Sequence, residues 1–401
     1  MEKIMIGMSG GVDSSVAVLL LKDAGYDCVG VTLKLYANET IRTGGKTCCS
    51  LEDVEDARSA AVRLGVPHYV FNGTELFEEK VIRDFVETYE AGGTPNPCIQ
   101  CNRHLKFSFM LHRARELGCD GIATGHYARV ERRHDGRWLL KKAADPAKDQ
   151  SYVLYMLTQE QLAHVKFPLG EFTKDQVRAL AEERGLLNAK KRDSQDICFV
   201  PDGDYYGFLR RYTGADYPPG DFVDGDGNVL GRHKGLPAYT IGQRRGLGVS
   251  SDRPLYVCRK CPRDNTVVLG ENRALFSRTL TARDVNLIDR DWIDGTLRCA
   301  AKIRYSHGAA ACSVVQTGED EIEVTFDEPQ RAVTPGQSAV LYDKDRCLGG
   351  GIVTDGRLFV GGNGLGVELG HTVLRMEGET CGCGMQGCTE AYCSVTSLVK
   401  Q

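Results

Sequence analysis

No run of apolar residues in this 401-residue chain approaches the roughly eighteen that a membrane-crossing helix needs, so no membrane span is expected. A signal peptide is also not expected. Met1-Glu2-Lys3 runs straight into a short apolar strand at 4–8, and a glycine turn follows at once. Together these absences predict a cytoplasmic protein. A positive charge balance is missing too. The formal net charge of -4 argues against a protein that coats nucleic acid indiscriminately, although a local basic face suffices for a nucleic-acid substrate. No internal repeat is evident. Cysteine, by contrast, is plentiful at 16 residues. In a long cytosolic chain that count does not read as a disulfide framework. Scattered cysteines such as Cys28, Cys119, Cys299 and Cys312 read as small buried hydrophobes. The chain is 42% hydrophobic and 26% charged, as expected of a globular protein, and its length implies two or three domains.

The first 130 residues or so alternate short apolar runs with helical patterns. Strands are expected at 4–8, 27–35, 68–71 and 121–124, and helices at 14–24, 50–64 and 75–89. The 50–64 segment opens on Ser50 with Asp53 three residues on, an acidic variant of a capping box. Such alternation predicts a Rossmann-like parallel sheet covered on both faces. After about residue 205 glycine and proline become frequent. Segments 266–269, 311–315 and 322–326 then look like antiparallel strands. The expected organisation is an α/β domain over 1–204, a small intermediate domain over 205–275 and a β-barrel-like domain over 276–353. A Gly- and Cys-rich appendage follows over 354–401.

The first strand ends in Gly7-Met8-Ser9-Gly10-Gly11-Val12-Asp13-Ser14-Ser15 and opens a helix. Gly10 and Gly11 let the backbone approach an anion closely. Ser9, Ser14 and Ser15 add hydroxyls, and the helix presents its positive end. The Gly-Lys-Ser/Thr ending of a Walker A loop is absent. The motif resembles instead the PP-loop of ATP pyrophosphatases, which cleave ATP between its α- and β-phosphates and adenylate a substrate. ATP with Mg²⁺ is the implied cofactor.

Two cysteines direct the chemistry further. Thr94-Pro95-Asn96-Pro97-Cys98-Ile99-Gln100-Cys101 forms a proline-rich loop before an amphipathic helix. Cys101 is therefore expected near a helix N-terminus, where the dipole favours the thiolate. Cys198 follows about a hundred residues later in Asp196-Ile197-Cys198-Phe199. Other blocks are Ala123-Thr124-Gly125-His126-Tyr127, Lys148-Asp149-Gln150-Ser151-Tyr152, Lys302-Ile303-Arg304-Tyr305 and Ala332-Val333-Thr334-Pro335-Gly336-Gln337. In this order, over residues 1 to about 353, the set resembles the tRNA-specific 2-thiouridylases.

That resemblance implies ATP-dependent exchange of the C2 oxygen of a tRNA wobble uridine for sulfur. Cys198 matches the persulfide-carrying cysteine and Cys101 the other catalytic one. Leu33 and Gly125 match nucleotide-holding positions, with Leu33 standing where Met is expected in many relatives. Asn96, Pro97 and Cys98 match the target-base pocket. His126, Lys148, Asp149, Gln150, Ser151, Tyr152, Arg304, Tyr305 and Gln337 match tRNA-contacting positions. Lys190-Lys191-Arg192 is a further basic cluster that could meet the phosphate backbone. The implied partners are tRNA and a sulfur donor such as a cysteine desulfurase or sulfur-relay carrier, with the enzyme a monomer. Cys98 stands where Asp is expected in many relatives, which leaves two readings open. Either it substitutes for that Asp beside the flipped base, or Cys98, Cys101 and Cys198 hold an iron–sulfur cluster.

Beyond residue 353 the likeness ends. His371, Cys381, Cys383 and Cys388 form a His-Cys₃ set suited to tetrahedral zinc. With Glu368 and Glu390 they resemble the zinc-binding segment of ROK-family sugar kinases and repressors, but the rest of that fold is lacking. Two rival readings of the whole chain are an amidating PP-loop ligase and a zinc-dependent nucleic-acid-binding protein. The first lacks an ammonia-generating domain or carboxylate pocket, and the second rests only on the tail and scattered basic residues.

Overall fold

The computed structural model describes residues 1–36, 51–186, 188–189, 191 and 197–355. The N-terminal domain is built on five parallel strands in the order β3-β2-β1-β4-β7. They are β1 Lys3–Gly7, β2 Asp27–Lys34, β3 His68–Asn72, β4 Gly121–Thr124 and β7 Val165–Lys166, while β5 Ala128–Arg132 and β6 Trp138–Lys142 form a hairpin apart from this sheet. Ile4, Met5 and Ile6 of β1 are fully buried, as expected of a central strand covered on both faces. The expected parallel sheet is present.

Helix α1 (Val12–Asp23) follows β1 with Gly11, in extended conformation, as its N-cap. It ends where Gly25 takes φ +86 and Tyr26 N–H reaches Leu21 O at 3.0 Å, the left-handed stop that glycine accepts without a Cβ penalty. Helix α2 is Leu51–Arg63. Residues 74–90 form α3, α-helical at Thr74–Phe77 and Arg83–Glu90 with a π-helical turn at Glu78–Ile82. Residues 97–116 form α4, which starts with Pro97 at its first position, where the missing N–H has no helical partner to lose. It is π-helical over Cys101–Phe109 and α-helical again over Met110–Glu116. Wide turns of this kind are rare and cluster at functional sites. Two capped helices follow, α5 Gln159–Ala163 and α6 Lys174–Glu183, each opened by a Thr/Gln capping box. Helix α7 (Tyr205–Thr213) leads into the middle domain.

The middle domain is a four-stranded sheet in the order β10-β11-β8-β9. Its strands are β8 Gly220–Val223, β9 Val229–His233, β10 Tyr256–Cys261 and β11 Thr266–Gly270. Strand β11 was expected to be antiparallel. It is antiparallel to β10 but parallel to β8, because a connection of more than twenty residues separates the β8–β9 hairpin from the β10–β11 hairpin. The last domain is a six-stranded barrel of β12 Phe276–Leu287, β13 Thr296–Lys302, β14 Ala310–Gly318, β15 Glu321–Arg331, β16 Ser338–Asp343 and β17 Arg346–Asp355. It closes by pairing β12 with β17, leaving the barrel itself no free edge. The β5–β6 hairpin joins the outside of the barrel at β17, with Cys347 opposite Leu140, so N-terminal domain and barrel share one hydrogen-bonded sheet. Cys28, Cys119 and Cys312 are buried. Cys299 is only half-buried, its sulfur 3.7 Å from that of Cys312 on the neighbouring strand.

Candidate active site

Strand β1 is flanked by β2 on one side and β4 on the other. The loop after β1 and the residues after β4 therefore meet at the carboxyl edge of the sheet, where the strand order reverses and ligands of such folds bind. Gly10 has φ +73, and a Cβ on it would lie 2.5 Å from Asp53 O. Gly125 has no room either, since a Cβ there would sit 2.8 Å from Asp13 C and Ser14 N. Both glycines are needed for backbone to approach backbone, which leaves a cradle at the start of α1 whose first N–H groups no side chain caps. A phosphate chain fits that donor set.

The serines divide their work. Ser14 Oγ and Ser15 Oγ donate to Gly11 O at 3.0 and 3.2 Å, and Ser14 Oγ accepts from Ser9 N–H at 3.3 Å. These two buried hydroxyls shape the loop, whereas Ser9 is exposed at its rim. Asn188 braces the loop from outside, donating to Gly10 O at 3.2 Å and Ser15 Oγ at 2.9 Å. Asp13 is engaged within the protein. Both its oxygens take hydrogen bonds from Lys174 Nζ at 2.8 Å, and Tyr127 Oη adds another at 2.8 Å. Lys191, expected to meet RNA phosphate, instead pairs with Asp53 and Asp56 at 2.7 Å each. Asp53 therefore serves Lys191, and Ser50, Lys190 and Arg192 lie outside the described residues.

The thiols lie beside a second feature. Cys101 is buried in an apolar cluster with Tyr36, Phe77, Phe85, Leu105 and Phe199, and Cys198 packs at the margin of the same cluster. Tyr36 Oη donates to Cys198 O at 3.1 Å, tying the end of β2 to the Cys198 segment. Leu33 of β2 packs against this cluster and the central core. Cys101 thus stands a full turn inside α4, not at its tip. Cys98 sits in the first turn of α4 and is exposed. Its charge and that of Asp149 both raise the Tyr305 phenol, though burial contributes most.

The iron–sulfur reading does not fit this geometry. Among the described residues, which include all three thiols, no group of three or more His, Cys, Asp or Glu side chains is placed to hold a metal ion. Cys98 faces solvent while Cys101 is enclosed. The loop's own carboxylate, Asp13, is likewise engaged, by Lys174 and Tyr127. His371, Cys381, Cys383 and Cys388 lie outside the described residues.

Several expected RNA contacts are internal. His126 is buried between Phe107 and Phe167, with Nδ1 2.6 Å from Thr124 Oγ1, and burial holds its pKa well below the usual value. Asp149, Gln150 and Ser151 fold the chain back on itself. Asp149 accepts from Ala143 N–H and from the Ser151 hydroxyl, and Gln150 accepts from Tyr127 N–H. Tyr152 is buried, donating to Ser338 O at 2.9 Å. Lys148 is half-buried. Arg304 Nη2 donates to Ile241 O, Ala332 O and Thr334 Oγ1 at 3.3, 2.9 and 2.6 Å, which joins middle domain to barrel. Gln337 Nε2 donates to Thr94 O at 2.8 Å and Pro95 O at 3.3 Å. Tyr305 alone of this group presents a broad face, 44% exposed. Lys302 Nζ lies 5.2 Å from the centre of its ring and 5.6 Å from that of Tyr152, a cation–aromatic platform suited to a stacked base.

Models of four families match the chain: the tRNA methyl transferase HUP domain over 2–202, its PRC-barrel domain over 206–271, the aminomethyltransferase beta-barrel domain over 277–353 and the ROK family over 332–401. The tRNA-specific 2-thiouridylase MnmA of Clostridioides difficile is 51% identical over 353 residues, spanning 88% of this chain and 98% of that protein. That of Acetivibrio thermocellus is 50% identical over 357 residues, spanning 88% and 99%. The chain belongs to the tRNA-specific 2-thiouridylase family. The barrel and ROK matches overlap at 332–353, and there the structure favours the thiouridylase, because β16 and β17 are two of the six barrel strands.

Two supports of this candidate site escaped the sequence. Lys174 did leave a signal: a lysine at the first position of a capped helix opposes the helix dipole, which points to a specific anionic partner, here Asp13. Asn188 left none, since nothing local marks a buried asparagine 173 residues from the serine it contacts.

Proposed function

We propose that this protein replaces the C2 oxygen of a tRNA uridine with sulfur, using ATP. The observation that carries this reading is the meeting of two features in one domain of a thiouridylase-family chain. One is a glycine cradle for phosphates at the carboxyl edge of the sheet; the other is the apolar cluster, including Leu35 and Tyr36 just beyond β2, that contains Cys101 and borders Cys198. The cradle's N–H groups and Ser9 hold the triphosphate while the uridine O2 attacks the α-phosphorus and pyrophosphate leaves. Adenylation turns a poor leaving group into AMP. A Cys198 persulfide then attacks C2 and expels AMP. Cys101 attacks the Cys198 sulfur, the S–S bond breaks toward the base, and 2-thiouridine departs as a Cys101–Cys198 disulfide forms. An external thiol reduces that disulfide before the next turnover.

Asn96, Pro97 and Cys98 form the base pocket on this reading, and Tyr305 with Lys302 stacks a neighbouring nucleotide. The sulfur comes from a donor protein of the cysteine desulfurase or relay type, and the enzyme acts as a cytoplasmic monomer. The working units are 1–204, 205–275, 276–353 and 354–401, the last with His371, Cys381, Cys383 and Cys388 as zinc ligands. The test is incubation with ATP, unmodified tRNA and a persulfide donor, followed by nucleoside mass spectrometry. Formation of 2-thiouridine with one AMP and one pyrophosphate is expected, and C198S should abolish it. ATP-dependent product at another position, or none at all, would refute the assignment.

A further inference from the structure

The 93–95 segment precedes the base-pocket residues, and each of its three carbonyls is held by a side chain from another domain. Gln337 of the barrel takes Thr94 O and Pro95 O, and Thr94 N–H in turn reaches Pro335 O at 2.8 Å. The Gly93 carbonyl goes to Lys260 of β10, at 3.2 Å. Lys260 Nζ also donates to Tyr239 O at 2.9 Å and lies 5.8 Å from the centre of the Tyr89 ring. The residue is 8% exposed, and its hydrogen-bond acceptors are these two carbonyls, with no carboxylate among them. A buried ammonium without a counter-ion is costly, so two carbonyls and an aromatic face are a marked choice of partners for the junction between two domains. Packing is close around it. Gly92 has φ +87, and a Cβ there would lie 3.3 Å from Pro262 and 3.6 Å from Lys260 Cβ. A Cβ on Gly93 would lie 2.8 Å from Thr88 Cγ2 and 3.0 Å from Pro335 O.

We propose that Lys260 is a positioning residue, which fixes the Gly93 carbonyl from the middle domain and thereby sets the placement of Asn96, Pro97, Cys98 and Cys101 for the reaction. The proposal rests on the thiouridylase reading above. Lys260 touches neither nucleotide nor thiol, and its effect passes through the loop alone. Gly93, four residues before Pro97 opens α4, is too close for the intervening chain to absorb a shift. Geometry at a reacting centre is unforgiving, since misplacement by about 1 Å costs on the order of a hundredfold in rate.

The test compares wild type with K260M, which keeps the length and apolar stem but removes all donors, and K260Q, which keeps a donor. With saturating ATP and tRNA, K260M should lose about tenfold or more in kcat for thiolation. Its ATP dissociation constant should be unchanged, because the phosphate cradle is built elsewhere. Amide hydrogen exchange in a 91–98 peptide should accelerate while the rest of the middle domain keeps its protection, and K260Q should recover part of both effects. An unchanged kcat with unchanged exchange would overturn the proposal. So would losses of ATP affinity and of protection throughout the middle domain, which would mark a general structural role. If K260M does not fold, K260Q against wild type decides by the same two readouts. Absence of thiouridine from wild type would instead refute the functional reading, while the exchange comparison still reports on the loop.

Discussion

The phosphate loop and the 93–97 loop are held in opposite ways. The phosphate loop is held from within its own domain: Ser14 and Ser15 turn back on Gly11, Ser14 receives Ser9 N–H, and Asp13 takes Lys174 and Tyr127. Asn188 and Lys191 only brace a bend that two glycines and a helix start already define. The 93–97 loop has little of its own to fix it. Its carbonyls are taken by Lys260 and Gln337, about 170 and 240 residues further along the chain. The first arrangement suits a site that must bind ATP whatever the state of the other domains. The second makes the placement of the 93–97 loop depend on all three domains being assembled.

The largest effect should come from breaking the phosphate loop. G10A places a Cβ 2.5 Å from Asp53 O in a left-handed backbone, and neither loop nor helix can yield cheaply. ATP binding and thiolation should both fall by about a hundredfold or more. A G10A enzyme with normal ATP affinity would show that the cradle is not the nucleotide site. Next in size is K174M, which strands the Asp13 carboxylate against α1. Asp13 is 30% exposed on its side chain and Lys174 9%, so the loss is less than for a fully buried pair, about 2 kcal/mol in unfolding free energy. K174M with wild-type urea stability would mean that Tyr127 alone suffices for Asp13.

How much of this could be read beforehand follows the same division. The parallel sheet, α1 and the glycine cradle were legible, because period, turn chemistry and helix start are local. The likeness to relatives also carried the two thiols. What the sequence does not reveal is which polar residues face inward. His126, Gln150, Ser151, Arg304 and Gln337 were matched to RNA contact, yet they place hydrogen-bonding groups on their own chain. Spacing along a strand or loop says nothing about a partner two hundred residues away. Lys191 misleads for a related reason: between Lys190 and Arg192 it resembles a solvated basic patch, and only the fold brings Asp53 and Asp56 to it.

Gln337 sharpens the contrast at intermediate size. Q337L keeps the volume and removes two donors, leaving Thr94 O and Pro95 O without them. The expected cost is about 1–2 kcal/mol, felt as roughly a tenfold fall in kcat with ATP affinity intact. A rise in the tRNA KM at constant kcat would instead return Gln337 to the RNA-contacting role.

The smallest effect expected at neutral pH is on the stability of K260M, because two terms oppose each other. Burial lowers the Lys260 ammonium from 10.5 to about 8, a cost on the order of 3 kcal/mol while the group stays charged. Against it stand the hydrogen bonds to Gly93 O and Tyr239 O, each worth about 0.5–1.5 kcal/mol. A neutral amine also makes them, so they leave the shift in place. Methionine removes both, so the two proteins should unfold at similar urea concentrations near pH 7. They should part as pH rises. Between pH 8 and 10.5 the unfolded chain binds the proton that folded Lys260 has lost, so this site adds stability with rising pH, and K260M has no such gain. Desolvation is the whole cause of the shift, and titrations elsewhere cancel in the comparison. Urea midpoints at pH 7.5, 9 and 10 should therefore diverge in favour of wild type. A constant difference across that range would mean that the ammonium keeps its water and is not the enclosed tie that the 93–97 loop depends on.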